Sequence, residues 1–572
     1  MSKIEIRNLS FTYPGSDKKI LDNINLDIEE GDFIAIIGNN GSGKSTFCKC
    51  INGLIPHFIV GDFKGQVLVN GRSTLDLDVG SLARQVAYVY QDFENQIVRP
   101  TVLDDASYAL LNYGYENYED LGRKSLIACG LEGREYDYIW QLSGGQTHLL
   151  ALAGAIALGP DILILDEPIA QLDPQNADKI YEILEDLRKR YNKTIISIEH
   201  HTEYIAKYCN KVMLLNKGKI SWILPTKEGL SKVDDLKKSD IFPPQITQAA
   251  FMLNEKNGED TKDKVHLPLS IEEGLSYFSN LKLKDYKKEQ IENTNEEILR
   301  FEDIDFTYNT IKGQPKIIFD KLNLSIKRGD KIALIGSNGA GKSTIMKLLV
   351  GLAKAKDGKI LFKGEDINQI DEEELAKHIS LVYQNPEEMF IKDSIYEDIA
   401  FAMKEREVED YKEKTSNLIN RFRLNDLKDR DGRLLSGGQM RRASVAIGIA
   451  LKPEVLLLDE PTGNLDMATR TEIIKVLEEI KSETETVIIA THDMQLVSQW
   501  ADRVIVLNAG KVIADKSKDQ IFDNDLVKET IAIRAPEIFD LAQAINPKTY
   551  VYTVEEFLEN IENNLKEGHY ED

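Results

Sequence analysis

The chain has 572 residues, with 95 Asp and Glu against 71 Lys and Arg, a formal net charge of −24 and an isoelectric point near 5.0. That balance argues against a nucleic-acid partner, because neutralising a phosphate backbone takes clustered Lys and Arg. No run reaches the ~18 consecutive apolar residues of a membrane span, so any membrane role is expected to come through a partner.

Met1 leads straight into a strand pattern with no signal-peptide pattern, and the chain is expected to be soluble. That pattern contains Phe11-Thr12-Tyr13. The apolar run Phe33 to Ile37 then predicts a buried strand, followed by Gly38-Asn39-Asn40-Gly41-Ser42-Gly43-Lys44-Ser45-Thr46 and a helix-like stretch. Strand before and helix after is the context in which a GxxxxGK[ST] phosphate loop is meaningful. Its glycines let successive N–H groups curl around an anionic oxygen, and the helix N-terminus adds a favourable dipole. Lys44 offers point charge to terminal phosphates, and Ser45 a hydroxyl for Mg²⁺. Of the four cysteines (Cys48, Cys50, Cys129 and Cys209) none forms a CxxC, and buried reduced thiols are expected.

Further on come Gln91, the pentapeptide Leu142-Ser143-Gly144-Gly145-Gln146, and the longest apolar stretch, Leu149 to Leu158, which predicts a buried helix. Small residues at a helix start leave N–H groups open to an anion. The uninterrupted run Ile162 to Leu165 suits a central parallel strand. It ends in Asp166-Glu167-Pro168, so the carboxylates emerge at the carboxyl end of the sheet, where such folds bind ligands. Thr194 to Ile198 predicts another strand, closed by His200.

The second half repeats every station. Lys331 to Ile335 precedes Gly336-Ser337-Asn338-Gly339-Ala340-Gly341-Lys342-Ser343-Thr344, and the loop lysines stand 298 residues apart (342 − 44). Gln384, Leu435-Ser436-Gly437-Gly438-Gln439 and Asp459-Glu460 each follow their counterparts by 293 (384 − 91), and His492 follows His200 by 292. A period this long means tandem domains rather than a solenoid. A lone strand-end histidine is ordinarily packing. Repetition instead favours a phosphate contact for His200 and His492, whereas His201 and the unrepeated His148 keep the ordinary reading.

Five motifs in order, twice, resemble the ATP-binding cassette (ABC) ATPases over nearly the whole chain. The resemblance implies an α/β fold of two tandem P-loop nucleotide-binding domains. Each has a mainly parallel core sheet, an antiparallel β subdomain, a helical subdomain and a small C-terminal tail. The expected boundaries are 1–225 and 298–516 for the ATP-binding domains, 226–281 and 517–572 for their tails, and 282–297 for a charged linker. It implies ATP and Mg²⁺ as cofactors, with Ser45, Gln91, Asp166 and Ser343, Gln384, Asp459 serving the metal. Glu167 and Glu460 would polarise the attacking water, His200 and His492 would touch the γ-phosphate, and Tyr13 and Tyr308 would stack on adenine. Two composite sites follow, each loop lidded by the other half's pentapeptide, with Asp173 and Asp466 in the interface loop. Both sites keep lysine, acids and histidine, so both are expected to hydrolyse ATP. One departure opens the way to unequal rates: Met440-Arg441-Arg442 follows the second pentapeptide, but Thr147-His148-Leu149 follows the first.

The tails sharpen the resemblance. Phe242-Pro243-Pro244-Gln245-Ile246 is answered by Arg534-Ala535-Pro536-Glu537-Ile538, and Leu269-Ser270-Ile271-Glu272-Glu273 by Tyr552-Thr553-Val554-Glu555-Glu556. With Gln91-Asp92-Phe93-Glu94-Asn95-Gln96 and Gln384-Asn385-Pro386-Glu387-Glu388-Met389, this resembles the ATPases of energy-coupling-factor (ECF) importers of vitamins and metals. What that implies is a peripheral position on the cytoplasmic face of the cell membrane. The partners would be an integral scaffold (T-type) subunit and a substrate-binding (S-type) subunit, with Asp92, Glu94, Glu387 and Glu388 as docking acids. The alternatives are the fused ATPase of another ABC importer class, or a ribosome-associated ABC ATPase, whose marks would be a basic surface and an unrepeated interdomain arm.

Overall fold

The computed structural model of the protein describes residues 2–562 except 170–171, 259–265, 288–292, 294, 310–314, 338, 464, 466, 482–483, 525–526, 529 and 531–532. It divides into two compact units, Met1–Asp285 with Asp540–Asp572, and Tyr286–Phe539.

The first unit is built on a six-stranded sheet. Its order is Lys219–Pro225, Lys211–Asn216, Phe33–Ile37, Thr194–Ile198, Ile162–Asp166, Val86–Val89. Only the Lys219–Pro225 edge runs antiparallel. The inner strands are buried along their whole length, as unbroken Ile/Leu/Val runs require of a sheet covered on both faces. Beside it stands an antiparallel four-stranded sheet in the order Leu21–Glu29, Ser2–Thr12, Asp62–Val69, Arg72–Ser73. Helices Val102–Ala106, Tyr108–Asn112, Tyr118–Ala128 and Gly144–Ile156 form the helical part, and Leu149 to Ala153 of the last are buried.

The second unit repeats the plan. Its main sheet runs Ile379–Val382, Val455–Asp459, Thr486–Ala490, Lys331–Gly336, Arg503–Asn508, Lys511–Ser517. Its antiparallel sheet runs Pro315–Lys327, Glu297–Asn309, Asp357–Phe362, Glu365–Asp366, and its helices include Ile395–Glu405, Tyr411–Arg421 and Gly437–Ile449. The four cysteines are free and buried.

The repeated tail sequence has a repeated local cause. Ser270 caps helix Ile271–Tyr277 by accepting from Glu273 N at 3.3 Å, while Glu273 accepts from Leu269 N at 2.9 Å. Thr553 and Glu556 do the same for Val554–Glu559, at 3.1 Å and 2.8 Å. The shared Ser/Thr-x-x-Glu is thus a capping signal. Both capped helices lie in the first unit, where the rings of Phe278 and Phe557 are 5.4 Å apart. The start of the expected linker is fastened there too: Lys284 N donates to Asn560 O, Glu562 N to Lys282 O, and Leu283 is buried. Leu283 and Leu281 are the apolar residues at the head of that charged run, and burying Leu283 draws its neighbours into pairing.

Candidate functional site

Each phosphate loop sits between the central strand and a helix that starts at its lysine, Lys44–Ile51 and Lys342–Leu349. The loop's first glycine crosses a neighbouring strand so closely that an added Cβ would lie 2.1 Å from Leu215 O at Gly38 and 2.2 Å from Leu507 O at Gly336. No side chain fits there. Lys44 Nζ donates to Gly38 O at 2.7 Å and Asn39 O at 3.2 Å; Lys342 Nζ donates to Gly336 O at 2.7 Å and Ser337 O at 3.4 Å. Both ammonium groups are therefore held at the mouth of the loop. Asn39 also donates to Asp240 of the tail at 3.0 Å.

The strands Ile162–Asp166 and Val455–Asp459 carry their acids to this same edge. Ser45 stands beside Asp166, and Ser343 beside Asp459, each close enough to favour the ionised carboxyl. Burial pushes both carboxyls up, which opposing hydrogen bonds only partly offset. A hydroxyl beside a carboxylate is the hard-oxygen donor set that Mg²⁺ takes. Asp459 Oδ1, buried with no hydrogen-bond partner, fits an ion or its water. In the first unit Tyr88, which the sequence analysis passed over, donates its hydroxyl to Asp166 Oδ2 at 2.8 Å.

Glu167 and Glu460 occupy left-handed backbone, φ +52° and +47°, which costs a non-glycine residue roughly 1–2 kcal/mol. Glu167 N donates to Ile198 O at 3.0 Å and Glu460 N to Ala490 O at 2.9 Å, which pins each turn against the strand that carries the histidine. His200 Nε2 lies 3.1 Å from Glu167 Oε1, and Gln91 Nε2 donates to Glu167 Oε2 at 2.8 Å. In the second unit His492 Nδ1 lies 2.9 Å from Glu460 Oε1. Burial would raise the Glu167 carboxyl, but the His200 bond and charge outweigh it and hold the group below its ordinary value. Burial would lower His492, but Glu460 wins and raises it. The structure thus places Gln91 on Glu167 rather than on the Ser45–Asp166 pair. Among the described residues Gln384 makes no matching bond to Glu460.

The pentapeptides start helices Gly144–Ile156 and Gly437–Ile449. Ser143 with Gln146 and Ser436 with Gln439 form reciprocal caps, so the terminal glutamine has a local task. The two glycines divide their work. A Cβ on Gly145 would meet Asn176 at 2.5 Å, and one on Gly438 would meet Thr469 at 2.2 Å, whereas Gly437 has open space around it. The second glycine lets the next helix approach, and the first leaves the helix start exposed. Asp173 caps that next helix, Pro174–Tyr191. Tyr13 and Tyr308 hydroxyls lie 3.1 Å and 3.5 Å from the Thr46 and Thr344 hydroxyls of their own loops. Asn338 and Asp466, and the Glu94 side chain, lie outside the described residues.

One further pair escaped the sequence analysis. Asp105 accepts from Val98 N and Arg99 N at 2.8 Å and 3.0 Å, and Asp398 from Ile391 N and Lys392 N at 2.8 Å and 2.9 Å, pinning the segment after each glutamine. They stand in the 293-residue register (398 − 105) that would have exposed them. Arg441, buried, donates to Tyr383 O and Gln384 O at 2.9 Å and 2.7 Å. His148 takes that place in the first unit, its ring 3.3 Å from that of Phe93, which stands where the second half has Pro386.

Two phosphate loops, each with a Ser–Asp donor pair and a histidine-braced glutamate, define a twin P-loop nucleotide triphosphatase. The family model described as "ABC transporter" matches residues 21–170 and 319–463. A protein named as a candidate ABC transporter ATP-binding protein in Caldanaerobacter subterraneus subsp. tengcongensis is 31% identical, covering 97% of this chain and 98% of that one. A similarly named protein of Clostridium perfringens is 32% identical, covering 96% and 97%. The solved structure of cbiO1 from Clostridium perfringens, described as part of the ABC transporter complex cbiONQ, is 27% identical. It covers 41% of this chain and 94% of its own, with a TM-score of 0.37. The chain belongs to the ABC transporter ATP-binding family; it is an ATPase with tandem cassettes that takes ATP and Mg²⁺.

Proposed function

We propose that the chain is the ATPase of an ECF-type importer, working on a membrane scaffold and a separate substrate-binding subunit for a vitamin, metal or similar micronutrient. In this reading ATP binding draws each pentapeptide over the other half's triphosphate, and hydrolysis releases it. Lys44 and Lys342 bind the terminal phosphates. Ser45 with Asp166, and Ser343 with Asp459, hold the Mg²⁺ that neutralises phosphate charge. Glu167 and Glu460 orient water and take its proton, and His200 and His492 keep these carboxylates in place.

The observation that supports the ECF assignment is the surface beside the glutamine loops. Glu387 and Glu388 stand exposed on the short turn Pro386–Met389, just after Gln384, and form no ion pair among the described residues. Asp92 is exposed at the matching place. Carboxylates so placed suit charge-assisted bonds from scaffold arginines, and the repeated tail sequence is the other point of resemblance to ECF ATPases. No helix among the described residues is long and apolar enough to cross a membrane, so attachment falls to such a surface. Reversing Glu387 and Glu388 to Lys should leave ATP binding unchanged and cut co-fractionation with membranes several-fold. Undiminished attachment would reject the docking role.

A further inference from the structure

We propose that Tyr88 is a positioning residue for the Mg²⁺ of the first nucleotide site, an orienting donor that the second site lacks. This rests on the assignment of Asp166 to the metal.

Tyr88 lies in strand Val86–Val89, paired with Ile164 of the strand that ends in Asp166. Its ring is buried and its hydroxyl meets Asp166 Oδ2 at 2.8 Å. A buried phenol needs an acceptor, and any backbone carbonyl would serve. Here it is the metal carboxylate. In the second unit Leu381 holds the equivalent place, paired with Leu457, which corresponds to Ile164. Leucine has no donor, and Asp459 Oδ1 is left buried without a partner.

A carboxylate fixed through one oxygen cannot turn freely, so less order is lost when it takes up a cation. Partners that orient metal ligands in this way are worth about 10–100-fold in metal affinity. Tyr88 does so without adding charge. The two sites therefore differ in how firmly they hold the ion, although their motifs match.

Mn²⁺ serves as the probe, read by electron paramagnetic resonance on the full chain with a non-hydrolysable ATP analogue. Lys342→Ala isolates the first site and Lys44→Ala the second. Tyr88→Phe, which keeps the ring, should weaken Mn²⁺ at the first site about 10-fold or more while leaving metal-free nucleotide binding unchanged. Leu381→Tyr should tighten Mn²⁺ at the second. If Tyr88→Phe leaves Mn²⁺ affinity within about twofold of the parent, or tightens it, while Asp166→Asn weakens it, the role of Tyr88 is overturned and the metal assignment stands. If Asp166→Asn also has no effect, the metal assignment falls and the proposal with it.

Discussion

Glu167 and Glu460 show what a single residue can disclose. Each accepts a left-handed backbone that glycine would adopt freely, and each is braced by a histidine. Strain tolerated twice at the same chemical station marks a position selected for where its carboxylate points. His148 tells the opposite story. Its Nδ1 lies 3.3 Å from Gly144 O, which can only accept, so the proton sits on Nδ1. Burial pushes its pKa from 6.5 down to about 4. The unfolded chain thus binds a proton there between pH 6.5 and 4 that the folded chain refuses. Stability from this residue is complete above about 6.5 and is lost as pH falls towards 4. Between pH 7 and 5 it should cost the first unit about 2 kcal/mol. Urea denaturation of His148→Gln should lose that much less than the parent over the same interval; equal losses would contradict the assignment. The phosphate loops, acids and histidines were legible because their chemistry demands particular residues at particular spacings. Tyr88 was not, because an aromatic in a strand is what packing alone prescribes, and only its hydroxyl's partner separates the two cases. In the sequence Arg441 is only one of two basic residues after the second pentapeptide. That it grips the Tyr383 and Gln384 carbonyls depends on a contact 57 residues away in sequence.

At the scale of elements, the strands followed from unbroken apolar runs, and the tail helices from a repeated capping signal. The reach of the second tail did not follow. Its residues 540–562 pack in the first unit, against Phe278 and Lys282–Asp285, and nothing in a charged run such as Lys282 to Glu297 announces which partner will bury its one leucine. Gly274 is part of the same contact: a Cβ there would come within 3.1 Å of Leu541. Ending the chain at Phe539 should therefore loosen the first unit. Losing the cover on Phe278 and Leu283 should cost about 3 kcal/mol or more. Hydrogen exchange should accelerate in helices Gln245–Lys256 and Ile271–Tyr277 and stay unchanged in strand Arg503–Asn508 of the second unit. Unchanged protection in the two tail helices would refute the clasp.

For the whole molecule, duplication with divergence is the main lesson. Lysine, both acids and histidine recur in each half, while the surrounding residues have drifted: Tyr88 against Leu381, Phe93 against Pro386, His148 against Arg441. Where the first unit has His148, the second has a buried guanidinium whose charge acts on Asp459 and Glu460. Under the proposed mechanism each half still does chemistry with its own glutamate. The most direct test is phosphate release by Glu167→Gln combined with Glu460→Gln. The prediction is retained ATP binding with turnover lowered at least about 100-fold. Phosphate release near the parent rate would contradict it.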